Sequence, residues 1–219
     1  MKKLIIFGTE DIAQIARHYF INDSEYQIVA FTVDKEYQKS DELDGMPLIP
    51  FHEITTHFPP DSHDMFIALG YSKLNTNREK KFYEAKDLGY SLATYISSKC
   101  HYLSQFPPGE NCFIFEDNTV QPFVHIKDNV ILWSGNHIGH HSTIESHNFV
   151  SSHVVVSGHC VIKSNCFLGV NATIANNITI AEGTLVGAGA LINKNTDPYG
   201  VYVVPRATKI KKRSDEINL

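Results

Sequence analysis

Beyond residue 113 the chain repeats itself every six positions. Ile114, Val120, Ile126, Leu132, Ile138, Ile144, Val150, Val156, Ile162, Leu168, Ile174, Ile180, Val186 and Ile192 form an unbroken aliphatic series. A helix repeats every 3.6 residues and a strand every two, so neither has this period. Gly, Ser, Thr, Asn and Ala fill the intervals. The fourth residue after an aliphatic position is often small or apolar, as at Val124, Val130, Ser142, Val154, Cys160, Cys166, Ala172 and Ala190. The pattern describes a β-solenoid in which each hexad is a short strand plus a corner and three hexads close one coil. One aliphatic side chain per hexad then points into a prism, and stacked coils bury a continuous core.

Upstream the pattern changes. From Lys2 to about Leu92, short apolar runs alternate with helical ones: "KLIIFG" (strand), "DIAQIARHYF" (helix), "YQIVAFTVD" (strand), "HDMFIALG" (strand), "NREKKFYEAKDLG" (helix) and "YSLATYI" (strand). Such alternation predicts a small parallel sheet of βαβ type. Ligands of such sheets sit at the carboxyl ends of the strands, here around Gly8–Asp11, Val33–Lys35 and Leu69–Ser72. "GTEDIAQ" opens a helix whose first amides could meet an anion, although a full GxGxxG is absent.

Composition narrows the class. The 219 residues carry a formal net charge of −5 at pH 7, and the one basic stretch, "KIKKR" at 209–213, leaves no footprint for nucleic acid. No apolar run approaches the roughly 18 residues of a membrane span, and "MKKLIIFG" is too short for a signal peptide. Cys100, Cys112, Cys160 and Cys166 form no CxxC pair, which fits free thiols in a reducing compartment. The expectation is a cytoplasmic protein.

Histidine is concentrated in "NHIGHHSTIESHNFVSSHVVVSGHC", residues 136–160. With three hexads per coil, residues eighteen apart stack at the spacing of adjacent strands, about 4.8 Å. His140 then lies in a column with Pro122, Gly158 and Asn176, and Gly158 leaves a notch one coil above it. His141 stacks with His159, His147 with Asn165 and His153 with Asn171. The histidines therefore fall on several faces. One imidazole suffices for general-base chemistry, whereas a metal wants two or three converging on one ion.

A gapless hexad array behind a small βαβ domain resembles the left-handed β-helix sugar acyltransferases, the family of the sialic acid O-acetyltransferases and the bacillosamine-pathway N-acetyltransferase. The matching stretches are "KLIIFGTEDIAQIAR", "FTVDK", "IALGY", "IGHHSTI", "NCFLGVNATI" and "GVYVVPRAT". The resemblance implies an α/β N-terminal nucleotide-sugar domain (1–97), a left-handed parallel β-helix of hexapeptide repeats (98–197), and a tail (198–219) that caps the helix and closes the acyl-CoA site. It places the base on His140. The acid that follows the base in the family is His141 here, leaving Glu145, Asn136 or water to orient His140. The family's second active-site histidine falls on Phe149, with His153 nearby, and its glycine-rich turn survives only as Gly8.

The resemblance further implies acetyl-CoA as co-substrate and no metal. Candidate cofactor contacts are Ser157, Gly158, Gly169, Val170, Ala175, Gly187, Ala188 and Pro205. Candidate contacts for the nucleotide-linked sugar are Gly8, Thr9, Glu10, Asp34, Lys35, Gly70 and Tyr71. The expected enzyme is an N-acetyltransferase acting on a nucleotide-linked amino sugar for surface polysaccharide or glycan synthesis. It would work by direct attack within a homotrimer whose grooves are shared between chains. A sialic-acid-type O-acetyltransferase, a metalloenzyme like the gamma carbonic anhydrases, and a non-catalytic nucleotide-binding trimer remain open on sequence alone.

Overall fold

The computed structural model describes residues 2–217. The N-terminal part runs β1 (Lys2–Phe7), α1 (Asp11–Asn22), β2 (Tyr26–Val33), β3 (Glu42–Leu43), β4 (Met46–Pro50), α2 (Ile54–His57), β5 (His63–Ile67) and α3 (Thr76–Asp87). Its sheet has the order β3-β4-β2-β1-β5, with only the β3/β4 pair antiparallel. That hairpin was not among the expected strands. Its signal is Asp44-Gly45, both at positive φ, the dipeptide of a tight hairpin turn. The strand expected over 90–96 is divided: Leu92 bridges to Met65, while Tyr95–Ile96 joins the solenoid by pairing with Phe113–Ile114.

The solenoid comprises β6 (Tyr95–Ile96), β7 (His101–Tyr102), a two-residue strand at every hexad from β8 (Phe113–Ile114) to β21 (Leu191–Ile192), and β22 (Val201–Tyr202). Its strands pair in parallel with those eighteen residues away across most of its length and form three sheets. Face one carries Phe113, Ile131, Phe149 and Phe167; face two Thr119, His137 and Val155; face three His125, Thr143 and Val161. Every aliphatic position of the series is buried, at no more than 6 % exposure. Each such side chain contributes about 1.5–3 kcal/mol of hydrophobic transfer.

The corners explain the histidines. The third residue after each aliphatic position adopts positive φ: Asp117, Phe123, Asn129, Gly135, His141, His147, His153, His159, Asn165, Asn171 and Asn177, then Gly183 and Gly189. Asn, Asp and His are the side chains that tolerate this left-handed region best. Four of the six clustered histidines are therefore corner residues by backbone requirement.

The N-terminal part docks on face one. There the outward side chains Phe113, Ile131, Phe149 and Phe167 pack with Leu4, Ile6, Phe20 and Phe66 in one core. Arg78 of α3 is fully buried at the seam. It donates to Asn129 Oδ1, to Asn75 Oδ1 and to the carbonyls of Gly70, Asn129, His147 and Asn148. Burial lowers its pKa to about 9. At the far end Val201–Tyr202 pairs on Leu185–Val186, and the described chain beyond it is exposed.

Candidate active site

His140 stands at the edge between faces two and three, between strands His137–Ile138 and Thr143–Ile144. Its backbone N–H donates to Gln121 Oε1 at 2.9 Å, tying it to the coil below. Its ring occupies the expected notch: a Cβ built on Gly158 would lie 2.9 Å from Cε1 and 3.0 Å from Nε2. Gly158 thus makes room for the imidazole itself. The amide of Gly158 donates to Asn176 Oδ1 at 2.9 Å, fixing the coil above.

His141 partners the base candidate. The two Nδ1 atoms are 3.0 Å apart, so one ring donates and the other accepts. His159, one coil above His141, stacks on it at 4.9 Å between ring centroids, while Phe123 lies 4.6 Å below. His140, His141 and His159 are exposed, and their ligand-capable nitrogens lie within 4.8 Å of one another.

Two expected partners of His140 are excluded by geometry. Asn136 is buried at 1 %; its Oδ1 accepts from the Val154 amide at 2.7 Å and its Nδ2 donates to the Trp133 carbonyl. It belongs to a ladder of buried asparagines, with Asn118 Oδ1 accepting the Asn136 amide. Glu145 sits beyond Thr143–Ile144, at the edge between faces three and one, and makes no hydrogen bond or ion pair with His140. Phe149 is buried against the N-terminal core, and His153 lies over Gly135 on a different edge.

The cofactor candidates divide between two edges. Ser157, Gly158 and Ala175 share the edge of His140, between faces two and three. Gly169, Val170, Gly187 and Ala188 lie on the edge between faces one and two. A single chain does not bring the two groups together. Gly169 also has a reason within the coil: a Cβ there would come 2.6 Å from the Ala188 nitrogen. Pro205 lies in the exposed chain after β22.

A second concavity, about 540 Å³, opens at the carboxyl ends of β1, β2 and β5. Gly8, Thr9, Glu10, Asp34 and Gly70 line it. Lys35 does not; its Nζ donates to Gln38. Tyr71 does not either, its ring packing 4.9 Å from those of Phe149 and Phe167. Gly8 is obligatory, with φ of +128° and an added Cβ only 2.8 Å from the Ala68 carbonyl oxygen. Sequence reading missed Lys73, Lys80 and Lys81, which line the same cavity. Lys81 Nζ is 2.6 Å from Asp34 Oδ1 and also binds Glu84, so Asp34 is engaged within the fold. Lys73, Leu74 and Asn75 have consecutive positive φ of 48°, 51° and 68°, a left-handed turn at the cavity rim. Asn75 holds that turn, donating from Nδ2 to the Cys166 carbonyl at 2.9 Å.

Residues 159–194 match the family model described as bacterial transferase hexapeptide (six repeats). The matched residues are six consecutive hexads of the solenoid. No curated protein matches the chain. Among solved structures, the acetyltransferase domain of PglB from Neisseria gonorrhoeae is similar with a TM-score of 0.76 and 21% identity, over 90% of this chain and 94% of that one. PerB from Caulobacter crescentus, solved in complex with CoA and GDP-perosamine, has a TM-score of 0.76 and 19% identity over 93% of both chains. WeeI from Acinetobacter baumannii has 0.67 and 18%, over 92% and 93%. The shared fold makes the hexapeptide solenoid a left-handed parallel β-helix behind an α/β domain.

Proposed function

We propose that the chain is an acetyl-CoA-dependent N-acetyltransferase acting on a nucleotide-linked amino sugar, with His140 as general base. The observation that carries the reading is the exposed imidazole of His140, seated beneath Gly158 with its Nδ1 held by His141. It stands on a fold shared with PerB, which was solved with CoA and GDP-perosamine.

For His140 to take a proton at Nε2, its Nδ1 must carry hydrogen and donate to the Nδ1 lone pair of His141. His141 then holds its own hydrogen on Nε2. The sugar amine attacks the thioester carbonyl carbon, its proton passing to His140 Nε2. The N–C bond forms, the C–S bond breaks, and the proton passes on to the CoA sulfur. A positioned base contributes about 10²–10⁴-fold. No serine is hydrogen-bonded to an imidazole at this edge, which favours direct transfer over an acyl-enzyme. Ser142, for example, donates to the Ser157 carbonyl.

The cavity at the ends of β1, β2 and β5 is assigned to the nucleotide, with Lys73 and Lys80 facing its phosphates. Division of the cofactor candidates between two edges supports a homotrimer, in which one chain's Ser157–Gly158 edge meets the Gly169–Ala188 edge of the next. The N-acetylated product would supply surface-polysaccharide or glycan assembly. Thiol release from acetyl-CoA, measured against UDP-, dTDP- and GDP-linked 3- or 4-amino sugars, tests the reading. One of them should support turnover that His140→Ala reduces at least a hundredfold with the fold intact. Equal turnover by that variant would refute the assignment.

A further inference from the structure

The three imidazoles beside the proposed active site are more than that reaction needs. We infer that His140, His141 and His159 form a binding site for a divalent transition-metal ion, and that an ion held there silences the base; the second half rests on the role proposed for His140. Among the described residues this is the one cluster of three or more metal-ligating side chains, with nitrogens within 4.8 Å of one another.

Four-coordinate Zn²⁺ has Zn–N distances of about 2.0–2.1 Å, which puts its ligand nitrogens roughly 3.3 Å apart. The His140 and His141 Nδ1 atoms are 3.0 Å apart already. The remaining gap, from at most 4.8 Å to about 3.3 Å, is of the size that rotation of exposed rings about their broad Cβ–Cγ torsions covers. The scaffold beneath is fixed: His141 and His159 occupy corners of one edge in consecutive coils, both at φ of 58°, and the His159 amide donates to the His140 carbonyl at 3.0 Å. Three imidazoles without a carboxylate suit Zn²⁺, Co²⁺, Ni²⁺ or Cu²⁺ and not Mg²⁺ or Ca²⁺. A fourth position stays open to water.

The chemical consequence follows from the nitrogen used. A neutral imidazole that ligates through Nδ1 carries its hydrogen on Nε2, the atom that must accept the substrate proton. Ion and proton transfer therefore exclude each other. The ion is an inhibitor of the step, not a participant in it.

Zn²⁺ binding to the full chain is measured by titration calorimetry, and Co²⁺ binding by its visible spectrum, where a four-coordinate site absorbs intensely. The wild type should bind one ion per chain, and His141→Ala and His159→Ala should each weaken binding at least tenfold. His101→Ala, which removes an exposed histidine from strand β7 of face two, two coils below His137, should leave binding unchanged. Failure of the wild type to bind, or binding unaffected by His159→Ala, overturns the site. Where the amino-sugar assay gives turnover, saturating Zn²⁺ should abolish it and chelation restore it. Unchanged turnover at saturating Zn²⁺ overturns the silencing. Tight three-histidine binding with no turnover on any nucleotide-linked amino sugar would uphold the site and sink the acetyltransferase reading instead.

Discussion

The imidazole of His140 occupies the space that a side chain at position 158 would need, with a built Cβ 2.9–3.0 Å from Cε1 and Nε2. Contacts below 3.0 Å force one partner to move, and the exposed ring is the softer of the two. Gly158 does not have positive φ, so alanine is tolerated by its backbone. Gly158→Ala should leave thermal stability nearly unchanged while lowering kcat about 10–100-fold, since a displacement near 1 Å is enough for such a loss. Steady-state kinetics beside a melting curve checks this, and an unchanged kcat would show that the ring position is immaterial.

In the proposed mechanism His141 acts through His140, so its removal should alter kcat and leave KM for both substrates in place. His141→Ala should cost roughly tenfold in kcat, with about 1 kcal/mol of stability lost because alanine at a left-handed corner is strained. His141→Asn keeps the corner conformation and an acceptor oxygen, and should recover part of both. A kcat for His141→Ala equal to that of the wild type would remove His141 from the reaction.

Arg78 ties the N-terminal part to the β-helix through Asn129 Oδ1 and the carbonyls of Asn129, His147 and Asn148. Its replacement by methionine fills similar volume but leaves those acceptors unpaired, at about 1–3 kcal/mol for each one that water does not reach. Arg78→Met should lower urea-unfolding stability by about 3 kcal/mol or more. Loss of the single transition, with the two halves unfolding separately, is the sharper readout.

His147, 3 % exposed, has its pKa lowered below 6.5, first by burial and then by the nearby Arg78 charge, against the opposing pull of Glu79. Its Nε2 sits 3.2 Å from the Tyr83 hydroxyl and 3.7 Å from Glu79. A histidine depressed in the folded state is neutral in both states above pH 6.5. As pH falls from 6.5 towards the lowered folded value, the unfolded chain takes the proton first and stability drops. His147→Asn, compatible with the corner φ of 64°, should flatten that acid-side decline. Urea unfolding at pH 7.5 and 5.5 measures it; an equal slope in both proteins would remove His147 from the pH response.

The hexad series made the solenoid legible because a six-residue period has one structural solution, and the His140–Gly158 stack followed from counting three hexads per coil. The docking face was also present in the sequence, unread: Phe113, Ile131, Phe149 and Phe167 recur every eighteen residues at the outward position of face one alone. Asp44-Gly45 likewise announced the missed hairpin. The histidine cluster misled in one respect, because its density reflects the corner conformation as much as chemistry.

By itself the sequence determined the coil, its core and which residues share an edge, since those depend only on spacing along a regular path. Tertiary structure alone decided which polar groups were free to act. Asn136 is consumed by the coil interior, Asp34 by Lys81, and Arg78 is buried without a paired acid. Each of those outcomes depends on where a side chain finds its hydrogen-bond partner, and for Asp34 and Arg78 the partners, Lys81 and Asn129, come from segments that no local period connects.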